Sequence, residues 1–202
     1  MIRAICFDLM DTVLYDPYRE ALEAATGVDL KMAAKARDPR CWPEFEIGAI
    51  DEAEFARRYF LPRADGAEGP VLRFDLEAFH AARRAGYRFL PGMQALIASL
   101  QGRVDRYVAS NYPIWIEEVR VSFGLDALFE DVFASHHLRV RKPAPEFFAR
   151  MLAAIPHPAP SCLFVDDRED NCVAAASVGM AVHHFRGAEG LADCLRAFGL
   201  VS

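Results

Sequence analysis

The stretch Cys6-Phe7-Asp8-Leu9-Met10-Asp11-Thr12-Val13 decides the fold of this chain. The apolar run from Ile2 to Phe7 is typical of a buried parallel strand, and it ends at Asp8, which residues suited to a turn follow. In an open α/β sheet, ligands bind beyond the carboxyl ends of the strands. Asp8 is therefore the first candidate for chemistry. The alternative is that Asp8 only ends the strand by bonding nearby main-chain amides.

Composition and charge narrow the class of protein. The chain has 202 residues, 53% of them hydrophobic, and a net charge of −6. These values predict one well-buried soluble domain, with room for a smaller insertion. The negative charge gives no general attraction to nucleic acid or anionic lipid, so we expect neither as a partner, and an anionic ligand has to be recognised locally. Nothing in the sequence indicates the oligomeric state.

The cysteines and the N-terminal segment bear on the location of the protein. The cysteines are odd in number and form no CxxC pair, which favours reduced thiols over disulfides or a zinc site; they are Cys6, Cys41, Cys162, Cys172 and Cys194. The first apolar stretch is interrupted by Asp8 too early for a signal peptide, and no apolar run reaches the roughly 18 residues of a membrane span. The sequence therefore predicts a cytoplasmic protein.

The rest of the chain divides into a helical block and an alternating block. Helical patterns begin at 16–18 and cover 30–36, 51–60 and 74–85, a Gly- and Pro-rich loop is predicted over 61–70, and no strand is predicted between Val13 and Gly86. Beyond it, strands are predicted over 103–109, 131–134, 161–165 and 180–185, separated by helices over 93–100, 113–123, 145–154, 169–178 and 191–198. This pattern predicts an α/β fold with a doubly wound, parallel, Rossmann-like core (1–14 and 87–202) and an inserted α-helical cap (15–86).

Polar side chains follow three of the predicted strands. They are Asp8, the pair Ser110-Asn111 and the pair Asp166-Asp167. Carboxylates gathered at one edge of a sheet repel one another, so they have to take up protons or share a cation. Magnesium fits best, because it is usually held by one or two carboxylates together with carbonyl, water and phosphate oxygens. We therefore expect Mg²⁺ as the cofactor.

Lys142 adds a positive charge of an unusual kind for this chain. Only Lys31, Lys35 and Lys142 are lysines among 23 basic residues. A compact ammonium on a flexible stem suits a point contact to both a carboxylate and a phosphoryl oxygen. The alternative is a solvated lysine that happens to precede Pro143.

Taken together, these segments resemble the haloacid dehalogenase-like hydrolase superfamily. Its four motifs match in order and spacing, at 7–13, 109–111, 141–143 and 164–167 with Asn171. The helical insertion falls where this family places its cap, between the first and second motifs. Within it, Trp42, the pair Phe45-Glu46, Gly48, Ile50 and the pair Glu54-Phe55 are similar to the branch that holds glucose-1-phosphatase-like proteins and epoxide hydrolase N-terminal domains.

The resemblance implies a role for each matched residue in hydrolysis of a small phosphorylated substrate. Asp8 would attack phosphorus and form an aspartyl-phosphate. Asp8, the backbone carbonyl of Met10 and Asp167 would hold magnesium, with Asp166 beside them. Ser110 and the amide of Asn111 would hold a phosphoryl oxygen, and Lys142 would offset the charge of Asp8 and the phosphate. Thr12 would fix the turn, and Asn171 would support the metal site.

Met10 departs from the family pattern. Phosphatases of the family carry at this position a second aspartate, which protonates the leaving group and then activates water. A thioether cannot do this, and loss of general acid–base catalysis typically costs about 10² to 10⁴ in rate. The metal site is barely affected, because only the carbonyl of this residue is used.

Three interpretations remain open. The first is a phosphatase whose leaving group needs little protonation, or whose acid comes from elsewhere; the cap-side candidates are Tyr15, Asp16, Glu20, Glu46 and His80. The second is haloacid or phosphonate hydrolysis. The Asp166-Asp167 pair argues against the metal-free dehalogenase reaction, and the phosphonate reaction requires a cap lysine, Lys31 or Lys35. The third is a weakly active or inactive protein that binds a phosphorylated ligand or a partner protein.

Overall fold

The computed structural model describes residues 1–62 and 71–201. Most of the loop predicted over 61–70 therefore lies outside the described residues. The strands are β1 (Ala4–Phe7), β2 (Leu14–Tyr15), β3 (Arg88–Phe89), β4 (Asp105–Ser110), β5 (Asp131–Ala134), β6 (Cys162–Asp166) and β7 (Ala181–His184). Five of them form a parallel sheet in the order β5-β4-β1-β6-β7. The predicted parallel α/β core is confirmed.

The register of the sheet determines which polar residues meet at its edge. Phe7 pairs with Val108 of β4 on one side and with Val165 of β6 on the other. One residue further along, Asp8 comes next to Asp166, and β4 ends at Ser110. Because β1 lies at the centre of the sheet, the strand ends of three motifs converge on Asp8.

Side chains of the central strands alternate between two apolar layers, as the period of two in a β-strand requires. Ile5, Phe7, Val108, Leu163 and Val165 belong to one buried cluster. Their neighbours in the sequence belong to the other, among them Ala4, Cys6, Ala109, Cys162 and Phe164. Both faces of the sheet are therefore covered, as expected for a parallel sheet.

The described residues form twelve α-helices, seven of which follow β3 in the chain, and one short 3-10 helix, Ala159–Ser161. The first five lie between β2 and β3: α1 (Tyr18–Thr26), α2 (Leu30–Ala36), α3 (Cys41–Glu46), α4 (Glu52–Arg58) and α5 (Leu76–Gly86). The others are α6 (Met93–Ser99), α7 (Ile116–Ser122), α8 (Leu125–Leu128), α9 (Ser135–Leu138), α10 (Pro145–Ala154), α11 (Glu169–Ser177) and α12 (Ala188–Ala197). None of the helices in the described ranges is long and apolar enough to cross a bilayer.

The starts of the inserted helices follow from side-chain caps. Asp29, Asp51 and Asp75 each accept a hydrogen bond from the main-chain amide three residues later, at 2.7 to 2.9 Å. Such caps satisfy amides that have no partner within the helix. The helices predicted over 30–36, 51–60 and 74–85 are accordingly present within one or two residues.

Short elements were missed. The expectation of no strand after Val13 is wrong, because Leu14 and Tyr15 pair antiparallel with Phe89 and Arg88 where the chain leaves and re-enters the core. The helices α3, α8 and α9 were not predicted either, and α7 begins at Ile116 rather than at Pro113. The missed elements have two to six residues, which is too short for a clear hydrophobic period.

The inserted helices pack on the core through an aromatic cluster. The rings of Phe45 and Phe55 stack with centroids 4.7 Å apart, and Trp115, which lies just before α7, contacts Phe45 at 4.9 Å. The loop after α3 is bonded to the core as well, since Arg139 donates to the carbonyl of Gly48 at 2.8 Å. Gly48 has a φ of 66°, and a Cβ built there would lie 2.0 Å from Nη1 of Arg139. The left-handed backbone and the close approach of Arg139 both favour glycine at this position.

Candidate active site

Asp8 is fixed at the carboxyl end of β1 by a tight turn. The amides of Val13 and Leu14 both donate to the carbonyl of Leu9, at 2.9 and 2.8 Å. Asp11 takes a left-handed conformation, with φ of 58°, which lets the chain reverse at this point. The turn leaves residue Asp8 only 7% exposed, and Oγ1 of Thr12 lies 3.4 Å from its Oδ2.

Lys142 lies between two of the carboxylates. Its Nζ donates to Oδ1 of Asp8 at 2.8 Å and to Oδ2 of Asp166 at 2.6 Å, and its side chain is 1% exposed. The side chain of Asn111 holds the main chain of Lys142 in place, with bonds of 2.8 and 2.9 Å to its amide and carbonyl. The alternative of a solvated lysine is therefore wrong.

The two adjacent aspartates after β6 have different environments. The carboxylate of Asp166 accepts hydrogen bonds from Lys142, from Nδ2 of Asn171 at 3.0 Å and from the amide of Arg168 at 2.8 Å. Asp167 is half-buried, and within the described residues its carboxylate accepts no hydrogen bond from another side chain. Asp167 therefore has lone pairs free for a cation, whereas those of Asp166 are largely used by the protein.

The three carboxylates form a site of excess negative charge. Ligand oxygens of Asp8, Asp166 and Asp167 lie within 4.8 Å of one another. Burial raises the pKa of Asp8 to about 7; Lys142 opposes this shift, and Asp166 and Asp167 add to it. Burial and the neighbouring Asp166 also raise the pKa of Asp167. One ammonium does not balance three carboxylates, so an oxygen-ligated divalent cation such as Mg²⁺ fits this donor set.

The hydroxyl of Ser110 is a second unsatisfied group at the site. Ser110 ends β4, is 1% exposed and lines the same cavity as Asp8. Its Oγ has no hydrogen-bond partner in the part of the chain that the structure describes. A buried hydroxyl without a partner costs free energy, which suits a position that a ligand oxygen occupies.

A cavity of about 360 Å³ opens over these groups. Its core-side walls are formed by Asp8, Met10, Asp11, Ser110, Asn111, Tyr112, Arg141, Lys142, Asp167, Arg168 and Asn171. The side chains that reach it from the inserted segment are Asp16, Tyr18, Arg37, Trp42 and Glu46. The other predicted site residues thus line one cavity, but Thr12 and Asp166 do not. Thr12 contacts the lining residue Asp8, and Asp166 contacts the lining residue Lys142.

Glu46 and Arg141 join the insertion to the core beside this cavity. Glu46 is 4% exposed, and its Oε2 lies 2.7 Å from Nε of Arg141, while its Oε1 accepts from Nε1 of Trp42 at 2.7 Å. Burial raises the pKa of Glu46, and Arg141 opposes that shift. Arg141 stands in the third sequence motif beside Lys142, so its place at the site could have been expected.

The sequence did not indicate that several other residues line the cavity. Arg37 follows α2, is exposed, and forms no ion pair with a carboxylate of the described residues. Tyr18 and Arg168 also reach the cavity unpredicted. His184, on the edge strand β7, bonds the carbonyl of Asp167 through Nε2 at 2.8 Å and so supports this turn.

The structure separates the candidates left open by the sequence. Asp16 and Glu46 line the cavity, whereas Tyr15, Glu20 and His80 do not. Lys31 and Lys35 are exposed on α2 away from the cavity, which removes the support for a Schiff-base reaction. Met10 lines the cavity and is 9% exposed, so its thioether does stand at the site.

Comparison with known proteins agrees with this architecture. The sequence model of haloacid dehalogenase-like hydrolases matches residues 2–179, and the chain belongs to this family. It is a hydrolase of the family, with the α/β core described above.

Among curated proteins, flavin mononucleotide hydrolase 1 of Arabidopsis thaliana, a chloroplastic protein, is 34% identical over 197 residues, which cover 97% of this chain and 77% of that protein. A sesquiterpene phosphatase of Aspergillus oryzae is 29% identical over 181 residues, or 87% of each chain. Among solved structures, a family enzyme of Bacteroides thetaiotaomicron in complex with magnesium and inorganic phosphate matches with a TM-score of 0.72 at 18% identity, over 93% of this chain and 96% of that one. The last comparison shows a shared fold.

Proposed function

We propose that the chain is a magnesium-dependent phosphatase that hydrolyses a small phosphate monoester through an aspartyl-phosphate on Asp8. One observation carries the proposal. The carboxyl of Asp8, the ammonium of Lys142 and the hydroxyl of Ser110, which has no partner among the described residues, face one cavity. Beside them, Asp167 has a carboxylate available to bind a cation. A nucleophile, two contacts for phosphoryl oxygens and a metal ligand are the groups that in-line phosphoryl transfer requires.

Each group has a defined part in this reaction. Oδ2 of Asp8 is the attacking atom, because it accepts only a long hydrogen bond of 3.4 Å from Thr12, whereas Oδ1 accepts one of 2.8 Å from Lys142. The hydroxyl of Ser110 and the main-chain amide of Asn111 hold one phosphoryl oxygen, and Lys142 offsets the charge that Asp8 and the phosphate share. Thr12 orients the carboxyl of Asp8 from below.

The metal site uses the free oxygens. Asp8, Asp167 and the carbonyl of Met10 would hold Mg²⁺, while Asn171 and Lys142 keep Asp166 in place beside it. When bound, Mg²⁺ neutralises charge on the transferred phosphoryl group and orients it for attack. The excess of carboxylates over ammonium in this site supports the assignment.

The inserted helices 15–86 serve as a cap that selects the substrate. Tyr18 and Trp42 present aromatic surface to the cavity, and Arg37 brings a cation that has no carboxylate partner among the described residues. These groups suit a phosphate ester whose alcohol carries an aromatic or extended apolar part with a polar end. The likeness to a flavin mononucleotide hydrolase and to a sesquiterpene phosphatase supports this class of substrate. The expected partner is thus a small molecule, and the free thiols of all five cysteines support a cytoplasmic location.

A screen of phosphate release tests the proposal. Flavin mononucleotide, a sesquiterpenyl phosphate, sugar phosphates and p-nitrophenyl phosphate are offered with Mg²⁺ and with a chelator. We expect release from at least one ester that requires Mg²⁺ and disappears in Asp8→Asn. Glu23→Gln, on the exposed face of α1, is the matched control and keeps full activity. Full activity in Asp8→Asn, or no release from any ester, would contradict the proposal.

A second candidate function, binding of a phosphorylated ligand without turnover, is favoured by one observation. Met10 supplies no acid at the cavity wall. In that case ligand binding would survive in the screen while no phosphate is released.

A further inference from the structure

The thioether of Met10 leaves the proposed phosphatase without a proton donor at the usual place. An alkoxide leaving from phosphorus is a strong base and needs a proton as the bond to phosphorus breaks. The candidate donors are the carboxyl groups that line the cavity and are not proposed to hold metal. Within the described residues these are Asp11, Asp16 and Glu46.

Asp16 is held at the cavity by two hydrogen bonds. It lies between β2 and α1, where the inserted segment begins. Its amide donates to Oδ1 of Asp11 at 3.1 Å, and its own Oδ1 accepts from the amide of Tyr18 at 3.0 Å. Its Oδ2 accepts no hydrogen bond from any described residue. The carboxyl is thus oriented through one oxygen and free at the other, the arrangement that a proton donor needs.

The other two carboxyl groups are less suited to this role. Glu46 is paired with Arg141 and bonded to Trp42, so protonating it would break a buried ion pair. Asp11 is exposed to solvent, whereas Asp16 is half-buried, and Oδ1 of Asp11 holds the amide of Asp16.

We propose that Asp16 is the general acid and base of this enzyme, in the role that Met10 cannot fill. In the first step Oδ2 of Asp8 bonds to phosphorus, the bond from phosphorus to the ester oxygen breaks, and that oxygen takes the proton of Asp16 to leave as the alcohol. In the second step the Asp16 carboxylate takes a proton from water while the water oxygen bonds to phosphorus. The bond between Asp8 and phosphorus breaks, inorganic phosphate is formed, and Asp16 is protonated again. The inference rests on the proposed phosphatase function.

The electrostatic surroundings favour this role. Burial, and then the nearby charge of Asp11, raise the pKa of Asp16 to about 7; the amide of Tyr18 opposes the shift, and Glu20 and Glu46 add to it. A group with a pKa near the working pH can both give and take a proton, as a general acid and base must. The other titratable or charged groups that face Asp16 or share its cavity, within the described residues, are Tyr18, Tyr87, Tyr112, Arg37, Arg141, Asp8, Lys142, Asp167 and Arg168.

Dependence on the leaving group tests the proposal. Asp16→Asn keeps an oxygen that accepts the amide of Tyr18, so the loop is retained. For an alkyl phosphate, we expect kcat/KM to fall by about 10² to 10⁴. For p-nitrophenyl phosphate, whose leaving group needs little protonation, the first-turnover burst of p-nitrophenol should persist while later turnovers slow. With the alkyl ester, the parent should also lose kcat/KM as the pH rises above about 7, and this limb should vanish in Asp16→Asn.

Rescue distinguishes chemistry from structure. Met10→Asp added to Asp16→Asn should restore a large part of the alkyl phosphatase activity, and Glu23→Gln should behave as the parent. An equal loss on alkyl and nitrophenyl esters in the first turnover, or no loss in Asp16→Asn, would overturn the role of Asp16 and leave the phosphatase function standing. If the parent hydrolyses no ester at all, the function itself fails, and the role of Asp16 fails with it.

Discussion

Lys142 and Asp8 form a buried ion pair, with Nζ of the lysine 2.8 Å from Oδ1 of the aspartate. The two residues are 134 positions apart in the chain, and the same Nζ also bonds Asp166. Burial lowers the pKa of Lys142, but the two carboxylates outweigh this effect and raise it. The lysine therefore stays charged and holds two strand ends of the sheet together.

Replacing the lysine should destabilise the fold. Lys142→Met leaves Asp8 and Asp166 buried without their cation, and breaking a buried pair in this way typically costs about 3 to 5 kcal/mol. We expect a loss of this order in the free energy of unfolding, measured by urea denaturation in the absence of metal. Lys31→Met, at an exposed position of α2, is the control and should change little. Equal stability of Lys142→Met and the parent would show that the ion pair does not stabilise the fold.

Removing the hydroxyl of Ser110 should weaken phosphate binding without lowering the stability of the fold. Ser110→Ala removes a buried hydroxyl that has no partner within residues 1–62 and 71–201, so the melting temperature should stay the same or rise. Inhibition by inorganic phosphate should weaken by roughly tenfold, because one hydrogen bond to a charged oxygen is worth about 1.5 kcal/mol or more. Ser177→Ala, on the exposed side of α11, should leave both quantities unchanged. Unaltered phosphate inhibition in Ser110→Ala would remove this residue from the binding site.

Magnesium should stabilise the protein through Asp167. Binding to the folded state alone adds about 2.7 kcal/mol at a metal concentration of 100 Kd, which a thermal melt detects. We expect Mg²⁺ to raise the melting temperature of the parent and of Glu23→Gln but to have little effect on Asp167→Asn. A parent whose melting temperature does not respond to Mg²⁺ would contradict the metal site.

The titration of Asp16 should change the free energy of unfolding with pH, as well as kcat/KM. Its folded-state pKa of about 7 lies above the usual value of 3.8, so the folded state binds the proton more tightly than the unfolded state. The contribution of Asp16 to the free energy of unfolding is therefore fully present below pH 4 and is lost as the pH rises towards 7. Asp16→Asn removes this loss, so it should gain stability relative to the parent between pH 4 and pH 8.

Denaturation at several pH values, without metal, measures this difference. Glu23→Gln serves as the control, since its side chain is exposed and lies outside the cavity. A constant difference between Asp16→Asn and the parent across this range would show that Asp16 has an ordinary pKa.

The sequence by itself determined the core of the fold and the main candidates for chemistry. The helices at 30–36 and 145–154 were predicted with their observed bounds, because composition, hydrophobic period and caps act locally. Parallel strands align their carboxyl ends, so Asp8, Ser110 and Asp167 were expected at one edge before any contact was known.

Only the tertiary structure decided which of these side chains are hydrogen-bonded to one another and which have oxygens free for a ligand. It showed that Lys142 and Asn171 occupy the oxygens of Asp166, that Asp167 keeps its own free, and that the side chain of Asn111 positions Lys142. It also separated Asp16 from Tyr15, Glu20 and His80, which had been indistinguishable candidates. These outcomes depend on contacts between residues far apart in the chain and on burial, which no local pattern encodes. The expected roles of Asp8 and Met10 came from four sequence motifs taken together, whereas the position of Asp16 at the same cavity depends on the packing of the insertion against the sheet.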